Sequence, residues 1–151
     1  MRAALALLAA LLLAACASEP AAPAVPPLAA PGAAIAAAAA ALLGTPYHFG
    51  GSDAAGFDCS GLALFAYARA GLAIPRTAAE QRRAAHPVSL AQLAPGDLVF
   101  FRMHARHVDH VGVYAGGGRF IHAPRAGFAV TYGDLASGYY ARRLVSAGRF
   151  W

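Results

Sequence analysis

The feature that most constrains this 151-residue chain is a cysteine at the junction of a glycine-rich turn and an apolar run. Cys59 precedes the alanine-rich residues 62–72, and this composition predicts a helix over residues 59–70 that Gly71 terminates. The first turn of a helix carries unpaired N–H groups and the positive end of the helix dipole. We therefore expect the Cys59 thiol to ionise more readily than usual, and the thiolate is the nucleophilic form.

The N-terminal segment accounts for the second cysteine of the chain. Arg2 precedes an uncharged run that is too short to span a bilayer, so residues 1–15 are predicted to be a signal peptide. Small residues directly before Cys16 resemble the lipobox of bacterial lipoproteins, which implies a lipid anchor on Cys16. An ordinary secretory signal is the alternative. Lipidation would leave Cys59 as a free thiol in an exported protein, and catalysis is one reason to keep one.

This resemblance also implies a location in the cell envelope, anchored in a membrane. Because Ala17 stands where aspartate usually signals inner-membrane retention, we expect the outer membrane, facing the periplasm, if the host has two membranes. Stable attachment requires more than one acyl chain.

Composition divides the rest of the chain into a tether and one domain. Residues 16–32 are rich in proline and alanine and predict an extended tether. Residues 33–151 suffice for one compact domain. Predicted helices come first, at residues 33–43, 59–70 and 77–85. Predicted strands follow, at residues 98–101, 108–115, 119–123, 128–131 and 139–146. This order indicates the α+β class.

The charge of the chain comes from 12 arginines and no lysine, against seven acidic residues, so the net charge is +5. The arginines are scattered and no array of stacking aromatics accompanies them. Together with export, this pattern argues against nucleic-acid binding. Attraction to anionic wall polymers or lipid headgroups is one interpretation, and ordinary solvated arginines are the other. We expect a monomer.

Two of the six histidines lie on predicted strands that a glycine-rich loop connects. A three-residue loop over residues 116–118 would set Gly112 opposite His122, which places His122 diagonal to His110 on one face of the sheet. A two-residue loop would send the two histidines to opposite faces. A cysteine nucleophile needs a base, and the base needs an orienting group, so the shared face predicts a catalytic set with Cys59.

Several short motifs run through nearly the whole domain. They occupy residues 43–47, 50–51, 58–61, 75–77 with Gln81, 95–101, 110–114 and 120–123. Their order and spacing resemble the NlpC/P60 family of cell-wall cysteine peptidases. The resemblance implies a papain-like α+β fold in which the nucleophile helix packs on an antiparallel sheet. It also implies peptidoglycan as the substrate, with neither a cofactor nor a metal.

The resemblance assigns roles by position. It makes Cys59 the nucleophile, His110 the general base and His122 the residue that orients His110. Tyr47 matches a tyrosine that helps the N–H of Cys59 to hold the developing oxyanion; a buried structural tyrosine is the alternative.

The resemblance also assigns roles around the nucleophile. Asp58 and Ser60 either bind substrate or cap the helix, and Arg76 either meets a substrate carboxylate or forms a structural salt bridge. Two positions depart from the family pattern. Phe49 stands where the family often has tryptophan and is expected to keep an aromatic wall. Asp109 stands where the family often has serine, and it should point away from His110.

The implied activity is that of a peptidoglycan endopeptidase that cleaves amide bonds in stem peptides or cross-links. One alternative is a catalytically silent wall-binding lipoprotein, and another is a lipid or amide acyltransferase of related fold. A zinc enzyme could use His104, His107 and His110, whose spacing would align them on a helix, but the β-branched residues that follow favour a strand. The bond cleaved and the roles of His48, His104 and His107 stay open.

Overall fold

The computed structural model describes residues 30–151, so the predicted signal peptide, Cys16 and most of the tether lie outside the described residues. Helix α1 spans Pro31–Ala40. It begins two residues earlier than predicted, within the predicted tether, because proline's fixed φ and missing N–H suit the first position of a helix. Of the helices formed by residues 30–151, none combines the length and apolar character needed to cross a membrane.

Helix α2 spans Cys59–Arg69, one residue shorter than predicted. Its N-cap is Asp58, whose Oδ1 accepts a hydrogen bond from the N–H of Gly61 at 2.6 Å. At the other end, Gly71 has a φ of +77°, the left-handed conformation that commonly follows a helix. Local sequence signals therefore account for both ends of the helix that carries the cysteine.

Helix α3 spans Ala78–Ala84, close to the prediction. Thr77 and Glu80 form a reciprocal capping box at its start, in which each side chain bonds to the other's backbone N–H.

Six antiparallel strands form the main sheet, in the order β3-β8-β4-β5-β6-β7. The strands are β3 (His86–Val88), β4 (Leu98–Phe101), β5 (His110–Gly116), β6 (Arg119–His122), β7 (Thr131–Asp134) and β8 (Leu144–Arg149). A separate small hairpin joins β1 (Ser52–Asp53) to β2 (Gly56–Phe57). The strands β1, β2 and β3 were not predicted, because two or three residues are too few to show an alternating pattern.

The sheet is covered on both faces, as its central strand β4 shows. All four residues of β4 are buried. Leu98 and Phe100 belong to the larger apolar cluster, which includes the buried apolar residues of α2. Val99 and Phe101 belong to a smaller cluster with Phe120 on the other face. The expected α+β fold, with the Cys59 helix packed on an antiparallel sheet, is confirmed.

The predicted strand over residues 128–131 is wrong in position. Strand β7 begins only at Thr131, and the residues before it bond to the segment that follows α1. The N–H of Tyr47 donates to the carbonyl of Phe128 at 2.8 Å, and the N–H of Gly44 donates to that of Val130 at 2.9 Å. This pairing brings Tyr47 to the residues that follow β6.

The predicted strand over residues 139–146 is wrong in its first half. Helix α4 spans Gly138–Ala141, and β8 begins only at Leu144. Ser137 is the N-cap, and its Oγ accepts a hydrogen bond from the N–H of Tyr140. A serine cap is a local signal that outweighed the β propensity of the two tyrosines that follow it.

The β5–β6 hairpin reaches the predicted register by a different route. Gly116 pairs with Arg119 across a two-residue turn, so the predicted three-residue loop is wrong. A bulge between Tyr114 and Gly116 adds one residue to β5, and Val113 then pairs with Ile121. The predicted loop would have produced the same register, so the expected face of each strand is preserved.

Candidate active site

The N-terminus of α2 brings Cys59 to the start of β5. The thiol donates a long hydrogen bond to the carbonyl oxygen of Asp109, with 3.9 Å between Sγ and O. The N–H of Val111 donates to the same sulfur. Cys59 is a half-buried free thiol, and it contacts the backbone on either side of His110.

Burial raises the pKa of the Cys59 thiol to about 11. The N–H of Val111 favours the thiolate and the carboxylate of Asp58 disfavours it, but both effects are smaller than desolvation. The expectation that the helix N-terminus makes this thiol ionise readily is therefore wrong. Backbone N–H groups at the start of the helix lower the pKa of the thiol, but desolvation raises it by more.

His110 and His122 lie side by side on one face of the sheet, as predicted. Nε2 of His110 is 2.8 Å from Nδ1 of His122, and the two rings are nearly perpendicular at 86°. Both side chains are buried. Gly112 follows His110 by two residues in β5, and an added Cβ there would lie 2.4 Å from Cδ2 of Phe120. Nε2 of His110 makes this contact, and Nδ1 is the ring nitrogen of His110 that takes no part in it.

Burial also sets the charge of the histidine pair. It lowers the pKa of His110 to about 4, and it lowers the pKa of His122 to about 3 with a further contribution from His110. Both imidazoles are neutral near pH 7, so one nitrogen of each ring donates and the other accepts. The resting site therefore combines a neutral thiol with two neutral imidazoles.

Tyr140 is a site residue that the sequence analysis missed. Its hydroxyl oxygen lies 3.3 Å from Nε2 of His122. Its ring packs edge-on against Phe101 and Phe120, with centroid distances of 5.6 and 4.9 Å. The signal that could have found it is Ser137, the cap that places Tyr140 on the short helix α4.

Cys59, His110 and His122 line one cavity of about 670 Å³. Its other lining residues are Tyr47, Met103, His104, Asp109, Pro124, Arg125, Phe128, Thr131, Tyr132, Tyr139 and Tyr140. Tyr47, which was predicted to lie near the cysteine, thus lines the same cavity as Cys59. Burial raises the pKa of the Tyr47 hydroxyl, and the nearby Cys59 and Asp58 raise it further.

Asp58, Ser60 and Arg76 bond to one another and do not line this cavity. Arg76 holds the carboxylate of Asp58 with two contacts of 2.7 and 3.0 Å, and it donates to Oγ of Ser60 at 3.0 Å. Burial would raise the pKa of Asp58, but the bonds from Arg76 and from the N–H of Gly61 lower it overall. In the structure, Asp58 therefore caps the helix and Arg76 forms a salt bridge with it.

Asp109 organises the loop that borders the cavity. Its carboxylate accepts hydrogen bonds from the N–H groups of Met103, His104 and Ala105 at 2.6–2.9 Å. Burial would raise the pKa of Asp109, and these three bonds lower it overall. As expected, Asp109 does not act as an acid partner of His110.

The helix that a zinc site would need does not form. His104 lies in an irregular loop that also contains His107, whereas His110 begins β5. Within residues 30–151, no three His, Cys, Asp or Glu side chains are placed to hold a metal ion.

The expectation that Phe49 forms an aromatic wall is wrong, because its side chain is 87% exposed and lies outside the cavity lining. Aromatic walls come instead from Tyr47, Phe128, Tyr132, Tyr139 and Tyr140. Four of these follow β6 in the chain and approach the site only through the tertiary fold.

Comparison with known proteins gives one consistent family. Over 109 residues the chain is 45% identical to the bifunctional muramidase/DL-endopeptidase CwlT of Bacillus subtilis, covering 70% of this chain and 32% of that protein. Over 112 residues it is 46% identical to the murein DD-endopeptidase MepH of Escherichia coli, covering 71% and 41%. The chain thus spans about a third to two fifths of these relatives.

Solved structures agree with the sequence comparison. The NlpC/P60 domain of the peptidoglycan hydrolase SagA superposes with a TM-score of 0.69 at 36% identity, covering 79% of this chain and 98% of that one. An NlpC/P60 family protein of Bacillus cereus gives a TM-score of 0.73 at 34% identity, covering 78% and 39%. Residues 44–149 match the sequence profile of the NlpC/P60 family. The chain belongs to the NlpC/P60 family.

Proposed function

We propose that this chain is a peptidoglycan endopeptidase that cleaves amide bonds in stem peptides or cross-links by a thiol mechanism. The observation that carries the proposal is the contact of 2.8 Å between His110 and His122 in the cavity that Cys59 lines. This contact holds His110 by Nε2 and leaves Nδ1 to act as a base towards the thiol. The names of CwlT and MepH, both endopeptidases, support the same reaction class.

The first half of the reaction starts from the neutral pair. As Sγ of Cys59 attacks the amide carbonyl carbon, Nδ1 of His110 accepts the thiol proton. The imidazolium that forms donates its Nε2 proton to Nδ1 of His122 in a hydrogen bond, which stabilises the new charge. The N–H of Cys59 and the hydroxyl of Tyr47 stabilise the oxyanion of the tetrahedral intermediate.

The second half returns the site to its resting state. His110 gives its proton to the leaving amine, the C–N bond breaks and a thioester on Cys59 remains. Water then attacks the thioester while His110 takes one of its protons. Collapse of the second intermediate releases the carboxylic acid product and restores the thiol.

The deciding experiment is digestion of purified peptidoglycan of several chemotypes, followed by mass spectrometry of the soluble products. The protein should release new peptides, and a Cys59→Ala variant of the same thermal stability should release none. A chelator should leave the activity unchanged, whereas thiol alkylation should abolish it. If no chemotype yields Cys59-dependent products, the silent wall-binding alternative is preferred; if acyl groups pass to added amines instead of water, the acyltransferase is.

We also propose that Cys16 carries a lipid that anchors the protein in the cell envelope. The small residues before Cys16 support this proposal. In the native host, a Cys16→Ala variant should move from the membrane fraction to the soluble fraction. An unchanged distribution would contradict the anchor.

A further inference from the structure

Arg125 is a cavity residue to which the proposed mechanism gives no role. It is the one arginine among the described residues that line the cavity. Within residues 30–151 the ion pairs join Arg76 to Asp58 and Arg149 to Asp97, so the guanidinium of Arg125 is not paired with a carboxylate there. Asp109 is the one acidic residue in the described lining, and both of its carboxylate oxygens accept hydrogen bonds from backbone N–H groups.

The structure holds Arg125 in a defined place. Its guanidinium carbon lies 4.2 Å from the centroid of the Phe128 ring. Its carbonyl accepts a hydrogen bond from the N–H of Phe128, and the carbonyl of Phe128 in turn binds the N–H of Tyr47. A guanidinium stacked on a ring keeps its edge N–H groups free for a second partner. Arg125 therefore presents donors to the cavity from a segment tied to Tyr47.

We propose that Arg125 binds a carboxylate of the substrate close to the scissile amide. This inference rests on the proposed function and deepens it. Peptidoglycan stems carry free carboxylates beside their amides, on the γ-linked D-glutamate and on the diamino acid. The planar guanidinium binds a carboxylate through two parallel hydrogen bonds, which an amide of the same shape cannot accept. Arg125 thereby selects unamidated stems.

Two other arginines near the cavity provide a matched control. Arg119 stacks on Tyr132 at 4.5 Å, and Arg143 stacks on Tyr139 at 4.0 Å. Both tyrosines line the cavity, but neither arginine does. Arg119 thus shares the exposure and the aromatic partner of Arg125 without its access to the site, and Arg119→Gln removes the same charge outside the cavity.

The test uses stem peptides, as monomers and as cross-linked dimers, in three forms. One form has both carboxylates free, one is amidated at the glutamate and one is amidated at the diamino acid. We expect amidation at one of the two positions to lower kcat/KM of the unmodified protein by about tenfold, the size typical of a charge-assisted hydrogen bond. That position identifies the carboxylate that Arg125 binds.

The Arg125→Gln variant should lose about tenfold on the free stem and no longer distinguish it from the sensitive amidated form. Arg119→Gln should keep the preference of the unmodified protein. If Arg125→Gln and the unmodified protein respond equally to amidation, the proposal is overturned while the endopeptidase activity stands.

Binding separates this proposal from the proposed function. In a Cys59→Ala background, calorimetry should show that Arg125→Gln weakens binding of the free stem by about tenfold and leaves binding of the sensitive amidated stem unchanged. Equal affinities with and without Arg125 would overturn the proposal. This measurement holds whether or not the unmodified protein hydrolyses any stem.

Discussion

Tyr140→Phe removes one hydroxyl group, which lies at the end of a hydrogen-bonded series that runs from His110 through His122 to Tyr140. For Nδ1 of His110 to accept the thiol proton, its Nε2 must carry a proton and donate it to Nδ1 of His122. His122 must then carry its own proton on Nε2, which faces the hydroxyl oxygen of Tyr140 at 3.3 Å. The hydroxyl therefore favours the one arrangement of protons in which His110 can act as a base.

The size of the effect follows from the geometry of that bond. A neutral hydrogen bond contributes about 0.5–1.5 kcal/mol net, and one that supports a charged group contributes about 1.5–3 kcal/mol. Because the distance is long and the charge forms on His110, one residue away along the chain of bonds, we expect a loss of about 1–2 kcal/mol in transition-state stabilisation. That loss corresponds to roughly a 5–30-fold lower kcat/KM.

The assay is hydrolysis of a stem peptide, with thermal unfolding measured in parallel. The phenylalanine ring keeps the contacts with Phe101 and Phe120, so the melting temperature should change little. Tyr139→Phe is the control, because Tyr139 lines the same cavity and its hydroxyl has no hydrogen-bond partner in the described part of the chain. An unchanged kcat/KM for Tyr140→Phe, or an equal loss for Tyr139→Phe, would refute the reasoning.

Acidification should destabilise the protein, because His110 and His122 have folded pKa values of about 4 and about 3 against about 6.5 when unfolded. Between these values the unfolded state binds more protons than the folded state. The free energy of unfolding therefore has its full value above pH 6.5 and falls by several kcal/mol as the pH drops towards 4. Asp58→Ala removes a helix cap and a pair with a partly exposed arginine, which we expect to cost about 1–3 kcal/mol in urea unfolding. Gly112→Ala places a Cβ 2.4 Å from Cδ2 of Phe120, so it should cost about 1–3 kcal/mol and also lower kcat by displacing the histidine pair.

Each of these outcomes has a matched comparison. A double variant with glutamine at positions 110 and 122 should lose the acid dependence, and a persistent slope would contradict its assignment to the histidines. Asp58→Asn keeps a capping side chain and loses the charge, so it should cost less than Asp58→Ala. For Gly112→Ala, a Phe120→Leu background should relieve part of the clash, and no relief would mean that the contact with Phe120 is not the cause.

Local patterns predicted the elements that carry the cysteine and the two histidines. Asp58, the apolar run and Gly71 define α2 through short-range signals, which is why its bounds were correct within one residue. Alternation placed His110 and His122 on one face although the loop between their strands was wrong. The bulge in β5 compensates for the shorter turn, since the buried faces of both strands require this register.

Features that depend on distant parts of the chain could not be predicted. The pairing of residues 128–130 with residues 44–47 links segments more than 80 positions apart, and it brings Phe128 to the cavity. The pKa of Cys59 was mispredicted for the same reason, because the helix dipole is a local property whereas burial depends on the whole fold. Tyr140 was missed because a short capped helix interrupts a run of β-forming residues.

The raised pKa of Cys59 has a consequence for the reaction of its thiol with oxidants. Hydrogen peroxide and disulfides react with the thiolate, and the first product of peroxide is a sulfenic acid that can be oxidised further. With a pKa of about 11, only on the order of one Cys59 in ten thousand is ionised at pH 7. Oxidants therefore meet a thiol of low reactivity in the resting protein, whereas in the proposed mechanism His110 removes the thiol proton only during the attack on a bound substrate.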